Sequence, residues 1–157
     1  MIHGDHLDQI MDIMSQAFDP AYSEAWSRRQ VEDALLLGNC HAFLADVKGD
    51  ALGDTFPAAG FSLSRTGYEE EELLLFAVSP QYRGKGIGLS ILQELKSAAY
   101  KRGAQRLLLE MRKGNPAESL YRSFGFTVIG ERKDYYRTQN GMHIDAVTFA
   151  CDIARTS

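Results

Sequence analysis

Three groups of residues in this chain have types and spacings that could carry chemistry. The first is Arg83-Gly84-Lys85-Gly86-Ile87-Gly88, standing between the apolar run Leu73 to Val78 and a helical pattern that begins at Ile87. Glycines at alternate positions would each weaken a helix start by about 1 kcal/mol relative to alanine, so they serve something other than propensity. Without side chains, successive backbone N–H groups can point at a ligand from a helix N-terminus. There the macrodipole favours an anion, and Arg83 and Lys85 add positive charge. A diphosphate fits such a nest; the plainer reading is a glycine-rich turn with solvated basic residues. The two familiar phosphate fingerprints do not match, because neither Gly-Lys-Ser/Thr nor Gly-x-Gly-x-x-Gly is present.

The second is Glu110, inside an apolar stretch from Leu107 to Met111. Strand alternation puts Leu107, Leu109 and Met111 on one face and leaves Leu108 and Glu110 on the other. An ionised carboxylate there is costly without partners. Glu110 therefore either borders a solvent-reaching cleft where it has chemical work to do, or makes a strand-end salt bridge with Arg112. The third is Tyr121, which shares a helical face with Ala117, Leu120 and Phe124. A core residue with its hydroxyl at the edge is the more ordinary reading of such a tyrosine, and a proton-handling group the sharper one. His3, His6, His41 and His143 are scattered without ligand spacing, and Cys40 and Cys151 form no CxxC. No metal site and no disulfide framework is expected, and the thiols read as reduced.

The elements that must position these groups follow from periodicity. Leu7, Ile10, Met11, Met14 and Phe18 make a first amphipathic helix that stops at Pro20. Ser27 and Gln30 form a capping box for a second helix, which buries Val31, Ala34, Leu35 and Leu37 and ends at Gly38-Asn39. His41 to Val47 and Ala58 to Ser64 read as antiparallel strands around a longer loop. The run Leu73 to Val78, stopped by Pro80, reads as a strand buried on both faces. The acidic run Glu69 to Glu72 reads as its solvated entry, or as a face for a cationic substrate. After the glycines comes a third helix, with Ile87, Ile91, Leu92, Leu95, Ala98 and Ala99 inward, closed by Gly103. Asn115-Pro116-Ala117-Glu118 looks like a helix start with Asn115 as N-cap, and Gly125 ends that short helix. Strands Phe126 to Gly130, Arg132 to Arg137 and His143 to Asp152 follow, the last two joined through Asn140-Gly141.

Length and composition fit this outline. The 157 residues suit a single domain spanning 1–157, with 45% hydrophobic and 24% charged residues. The net charge of -4 disfavours nonspecific nucleic-acid binding and hints at basic substrates. There is no basic-then-apolar leader and no apolar run of membrane-spanning length, so a cytoplasmic protein without membrane partners is expected.

The glycine segment resembles the acetyl-CoA motif of the GNAT acetyltransferase superfamily, Gln/Arg-x-x-Gly-x-Gly/Ala, met here by Arg83, Gly86 and Gly88. Glu110-Met111-Arg112, Asn115, Leu120-Tyr121 and Phe124-Gly125-Phe126 are similar to that superfamily's Glu-Val-Arg, Asn, Leu-Tyr and Leu-Gly-Phe. Trp26-Ser27 and Arg132-Lys133-Asp134-Tyr135-Tyr136, followed by Gly141 and Asp145-Ala146, resemble the bacterial ribosomal-protein-alanine N-acetyltransferases within it.

The resemblance implies an α/β GNAT fold, one mixed and mostly antiparallel sheet of six to seven strands flanked by about four helices. It implies acetyl-CoA as cosubstrate, with contacts at Phe76, Ala77, Val78, Arg83, Gly84, Lys85, Gly86, Ile87, Gly88, Leu89 and Asn115, and no metal. It implies Glu110 as general base and Tyr121 as general acid. The acceptor it implies is the N-terminal amine of a ribosomal protein, walled by Trp26, Tyr135 and Tyr136, each of which also fits as a core aromatic. A lysine or small-amine acetyltransferase, or a non-catalytic CoA-binding regulator, would share the cofactor site. Three departures stand out: Asn115 to Tyr121 is one residue short, Ala25 replaces the family's proline before Trp26, and so little precedes the first helix that the family's first strand is expected to be very short or absent.

Overall fold

The computed structural model describes residues 4–22, 24–53, 57–138 and 140–153. The first helix, α1 (Gly4–Ala17), buries Leu7, Ile10, Ile13 and Met14 at the expected spacing. A short 3-10 turn (Pro20–Tyr22) leads to α2 (Arg28–Leu36). Its capping box is complete: the Gln30 amide donates to Ser27 Oγ at 3.2 Å, and the Ser27 amide donates to Gln30 Oε1 at 2.7 Å. Val31 and Ala34 are buried, but Leu37 lies past the last helical turn and is 73% exposed, contrary to expectation. The family's first strand would fall on residues 1–3, outside the described residues.

Six strands follow: β1 (Cys40–Ala45), β2 (Gly60–Thr66), β3 (Glu70–Val78), β4 (Arg106–Arg112), β5 (Thr127–Arg137) and β6 (His143–Asp152). Their order in the sheet is β1-β2-β3-β4-β6-β5, and only β3 and β4 run parallel. That pair is joined by the crossover helix α3 (Ile87–Lys101). A short helix, α4 (Glu118–Phe124), precedes β5. This is the expected mixed sheet with four helices. The strands expected at Phe126 to Gly130 and Arg132 to Arg137 are one. Register shifts against β6 between Val128 and Gly130, and again between Arg132 and Tyr136, absorb the extra residues, with Asp134 at φ 55. The Asn140-Gly141 turn closes the hairpin, with the Thr138 amide donating to the Met142 carbonyl at 2.8 Å.

Helices α1 and α2 cover one face of the sheet through Leu44, Phe61, Leu63, Leu75 and Ala77. The other face is covered by α3 and α4 through Leu73, Leu107, Leu109, Met111 and Phe149. Strand β3 changes faces in its middle. Leu63 pairs with Leu75 and Ser64 with Leu73, which leaves Leu74 as an extra residue. Before this bulge Glu71 and Leu73 point toward α3; after it Leu75 and Ala77 point toward α1. Pairing of β3 with β4 ends at Leu73 and Leu109, so the two strands diverge from there.

The acidic run is not a solvated entry. Glu70 to Glu72 lie within β3, and Glu71 is fully buried. Its carboxylate accepts from Ser64 Oγ at 2.6 Å, from Arg102 Nε at 2.9 Å and from Arg102 Nη2, and Thr66 Oγ1 bridges it to His41 Nε2. Burial alone would raise the Glu71 carboxyl, but the hydrogen bonds from Arg102 and Ser64 outweigh it and hold it below its ordinary value. Burial and the Arg102 charge push His41 down. Cys40 and Cys151 are free and buried, with thiols raised by that burial. Among the described residues no helix is long and apolar enough to cross a membrane.

Arg102→Met should strand the Glu71 charge and cost about 3–5 kcal/mol in urea denaturation. Both folded-state pKa values lie below their unfolded ones, so the unfolded chain binds more protons as pH falls. The contribution of each group is present at neutral pH. The His41 part should be lost below its ordinary 6.5, and the Glu71 part below its ordinary 4.5. A urea midpoint that stays level across that acid range would contradict this.

Candidate active site

Where β3 and β4 separate, backbone groups lose their ladder partners. The Ser79 amide donates to the Ala59 carbonyl on the β2 side at 2.7 Å. By alternation, the amides of Ala77 and Ser79 face β2, and those of Phe76 and Val78 face the gap left by β4. The Val78 carbonyl is used: Arg83 Nε donates to it at 3.2 Å, which folds the basic loop back onto the strand end. Leu74, Phe76 and Val78 stay partly exposed although both faces of the sheet are covered, because the neighbouring strand has left.

The glycine loop opens at the mouth of this gap. A 3-10 turn (Pro80–Tyr82) carries the chain from β3 into it. Gly84 and Gly86 adopt φ +78 and +82, the left-handed region, and a Cβ on either would meet nothing within 4 Å. Both are demanded by backbone conformation and leave open space in front of the α3 N-terminus, as a nest for an anion requires. Gly88 has a different reason. A Cβ there would approach Leu120 Cδ2 at 2.9 Å and Phe76 Cζ at 3.3 Å, so this glycine lets α3 settle against β3 and α4. Ile87 is buried with Ile91, Ala45 and Ala59, and only its backbone is available to a ligand; Leu89 is partly exposed. Lys85 Nζ lies 5.9 Å from the Tyr82 ring centroid. Ala77 turns its side chain into the α1 side of the core and its backbone groups toward β2, so contrary to expectation it presents no group to the gap.

Glu110 and Tyr121 approach the gap from opposite sides of the sheet. Glu110 is on the α1 face of β4, with its side chain 20% exposed, and accepts from Thr148 Oγ1 at 3.3 Å on the neighbouring β6. Its cationic partner is Arg132 on β5, Nε to Oε2 3.3 Å, and not Arg112. Arg112 belongs to a separate pair: its Nε donates to Glu24 Oε1 at 3.1 Å, and its guanidinium lies 3.6 Å from the Tyr22 ring centroid. The α1–α2 connection thus reaches over β4.

Tyr121 is on the α3 face, its ring between Phe76 at 5.8 Å and Phe126 at 5.7 Å. Burial, and then the charge of Glu24, push its phenol well up, so it is protonated at neutral pH. Among the described residues the hydroxyl makes no hydrogen bond and is not sealed from solvent. The core reading of the Tyr121 ring is thus met, while its hydroxyl has no hydrogen-bond partner among the described residues.

Of the expected wall residues, Tyr136 joins this group. It is half-buried, and burial followed by the charges of Glu110 and Glu24 pushes its phenol up to about 12. Tyr135 is 53% exposed and meets Tyr136 edge to face at 5.3 Å, on the rim. Trp26 packs on the α1 side of the core, its amide directed at Met14 Sδ at 3.1 Å. Asn115 is not the N-cap of α4, whose cap position is Ala117. Its Oδ1 accepts from the Ala117 amide at 2.9 Å, shaping the turn one residue before the helix. Glu24, Thr148 and the partnership of Arg132 with Glu110 were not foreseeable from local pattern; the α1–α2 loop and the β5–β6 register bring them in.

Two open surface concavities lie elsewhere. One of about 740 Å3 runs beside β1, lined by Leu35, Leu36, His41 and Phe43 among others. One of about 380 Å3 lies at Gln105, Arg106, Asp152 and Ile153. A gap between diverging strands is open at its ends, and its backbone groups, not its volume, mark it.

A parallel strand pair splayed at a bulge, an anion nest on the crossover helix, and a carboxylate and phenol beside the gap define a class of cofactor-binding α/β domain. The chain belongs to the acetyltransferase (GNAT) family, whose profile matches residues 7–126. Ribosomal protein bS18-alanine N-acetyltransferase of Haemophilus influenzae is 37% identical over 92 residues, 59% of this chain and 63% of that protein. Its Escherichia coli counterpart is 36% identical over 97 residues, 61% of this chain and 65% of that protein. The matched stretch thus spans slightly less than two thirds of these relatives. The crystal structure of the Escherichia coli ribosomal-protein-S18-alanine N-acetyltransferase superposes with a TM-score of 0.80 at 27% identity, covering 99% of this chain and 93% of that one. An aminoglycoside 6'-N-acetyltransferase complexed with coenzyme A shares the fold, with a TM-score of 0.76 at 16% identity over 99% of this chain and 94% of that one.

Because the Tyr121 hydroxyl has no protein partner, Tyr121→Phe should change folding stability by less than about 0.5 kcal/mol. Chemical denaturation of the variant checks this, and a larger loss would mean that the hydroxyl is structural.

Proposed function

We propose that this chain, acting as one domain, transfers an acetyl group from acetyl-CoA to the N-terminal α-amine of a protein, with a ribosomal protein as the acceptor, by direct transfer in a ternary complex. The observation that carries this reading is that β3 leaves β4 just after Leu73 and Leu109, with Glu110 next on β4 and the Tyr121 ring against Phe76 on β3. The names of the Haemophilus and Escherichia relatives support the choice of acceptor.

The residues fit the cosubstrate. The left-handed Gly84 and Gly86, open in front and followed by the α3 N-terminus, suit a diphosphate, with Arg83, Lys85 and the amides of Ile87, Gly88 and Leu89 around it. The free amides of Phe76 and Val78 offer an extended chain a strand-like edge to bond. Acetyl-CoA would supply the acetyl group as an activated thioester. The Val78 amide would face its carbonyl oxygen and stabilise negative charge there.

An N-terminal amine has a pKa of about 7.7 to 8.0, so a large share arrives protonated at neutral pH. Glu110 accepts that proton, directly or through a water, and frees the nitrogen lone pair for attack. Tyr121, a phenol that is protonated at neutral pH in any case and that burial only pushes further up, gives its proton to the departing sulfur. Tyr136, between the charges of Glu110 and Glu24, remains a neutral donor at the acceptor side, with Tyr135 and Trp26 further out. No covalent bond to the protein is needed.

Glu110→Gln keeps the shape and removes the base, so kcat should fall about 10²-fold or more at neutral pH and recover partly at higher pH as the acceptor deprotonates in solution. Acetyl-CoA affinity should hold. Steady-state kinetics with peptides beginning in alanine tests this, and native kcat in the variant across the pH range removes Glu110 from the mechanism. Gly86→Glu places a carboxylate in the nest and should abolish acetyl-CoA binding in calorimetry. Undiminished affinity there would refute the loop as the diphosphate site.

A further inference from the structure

The two arginines beside Glu110 are held very differently. Arg112, two residues along the same face of β4, is 11% exposed and fixed between Glu24 and the Tyr22 ring. Arg132 is 62% exposed, its Nε 3.3 Å from Glu110 Oε2. It stands opposite Ala146, one row along from the Gly130–Thr148–Glu110 row, so it crosses to Glu110 over a buried alanine and a position without a side chain. The same guanidinium lies 5.1 Å from the Tyr135 ring centroid while it faces Glu110, so the ring on the rim already offers it a partner should it leave the carboxylate.

An acceptor amine that gives its proton to Glu110 must come within hydrogen-bond reach of the carboxylate that Arg132 holds. We propose that Arg132 is a gate displaced by the acceptor: it neutralises Glu110 in the free protein, and the incoming ammonium exchanges for it as the guanidinium turns onto Tyr135. The proposal rests on the reading of Glu110 as the base. Exchange of one cation for another keeps the carboxylate paired throughout, whereas a neutral amine would leave it without a counter-ion. The gate therefore favours acceptors that arrive protonated, which sets Arg132 apart as a positioning residue and not a catalytic one.

The test uses the full chain at saturating acetyl-CoA with a hexapeptide that begins in alanine and has uncharged side chains. Exposed ion pairs are weak, so Arg132→Gln should lower acceptor KM about two- to fivefold at low salt while kcat stays within about twofold. In the native protein acceptor KM should fall as sodium chloride is raised, because screening loosens the gate. Arg132→Gln should lose that salt response and Arg132→Lys should keep it. A raised KM or a lowered kcat in Arg132→Gln would make the arginine a ligand of the acceptor or a prop of the hairpin, and overturn the gate. An unchanged KM with an unchanged salt response would overturn it as well. Glu110→Gln separates the two readings: its kcat reports on the base, whereas loss of the salt response from its KM reports on the ion pair.

Discussion

Everything at the candidate site depends on one backbone irregularity, the extra residue at Leu74. A β-ladder satisfies its amides automatically, and a strand that leaves its neighbour must find other partners for them or face a gap. Here the bulge turns the second half of β3 away from β4 after a single stretch of parallel pairing from Glu70 to Leu73. It also reverses which residues face which helix layer, so the first half of β3 is knitted to α3 and the second half to α1. The strand end then runs through one short turn into the α3 N-terminus. The free amides of Phe76 and Val78 and the nest at Gly84 and Gly86 are thus consecutive parts of one surface.

Two mid-strand carboxylates show how position in this framework decides role. Glu71 sits before the bulge, fully buried, and its two oxygens are saturated by Arg102, Ser64 and Thr66. Such a group has no capacity left for chemistry; it ties the C-terminal end of α3 to the sheet. Glu110 sits just beyond the last residue of β4 that pairs with β3, partly exposed, with two long contacts at 3.3 Å. Its carboxylate can change partners. The difference is one of satisfaction, and it arises from where the two strands part.

Local signals explain why much of this was legible beforehand. The capping box at Ser27 and Gln30, the stripe of α1, the Gly103 stop and the Asn140-Gly141 turn each involve residues a few positions apart, and each formed as expected. The glycine nest and Glu110 were legible for the same reason, as residue types that conflict with ordinary helix or strand packing. What escaped is set by partners distant in sequence. Glu71 looked solvated because its counter-ion, Arg102, lies 31 positions away. Arg112 looked like the partner of Glu110 until Glu24, 88 positions away, proved to hold it. Gly88 looked like a ligand glycine, yet the neighbours that require it, Leu120 and Phe76, meet only in the folded state. The division of β5 into two strands failed because bulges let a strand run on through a break in its pattern.

The charges around Glu110 form an alternating set, Glu24 with Arg112 and Glu110 with Arg132, which nearly cancels. On the proposed reading of Glu110, two unpaired arginines beside it would repel an ammonium from its carboxylate. Glu24 removes that obstacle at Arg112 permanently, in a pair well shielded from water and closed by Tyr22. At Arg132 the pair is exposed and long, so its release costs little. The α1–α2 loop and the β5–β6 hairpin therefore do different work on one carboxylate. The loop fixes the local field, the hairpin leaves it adjustable, and a cation can replace a cation without the site ever carrying an unpaired charge.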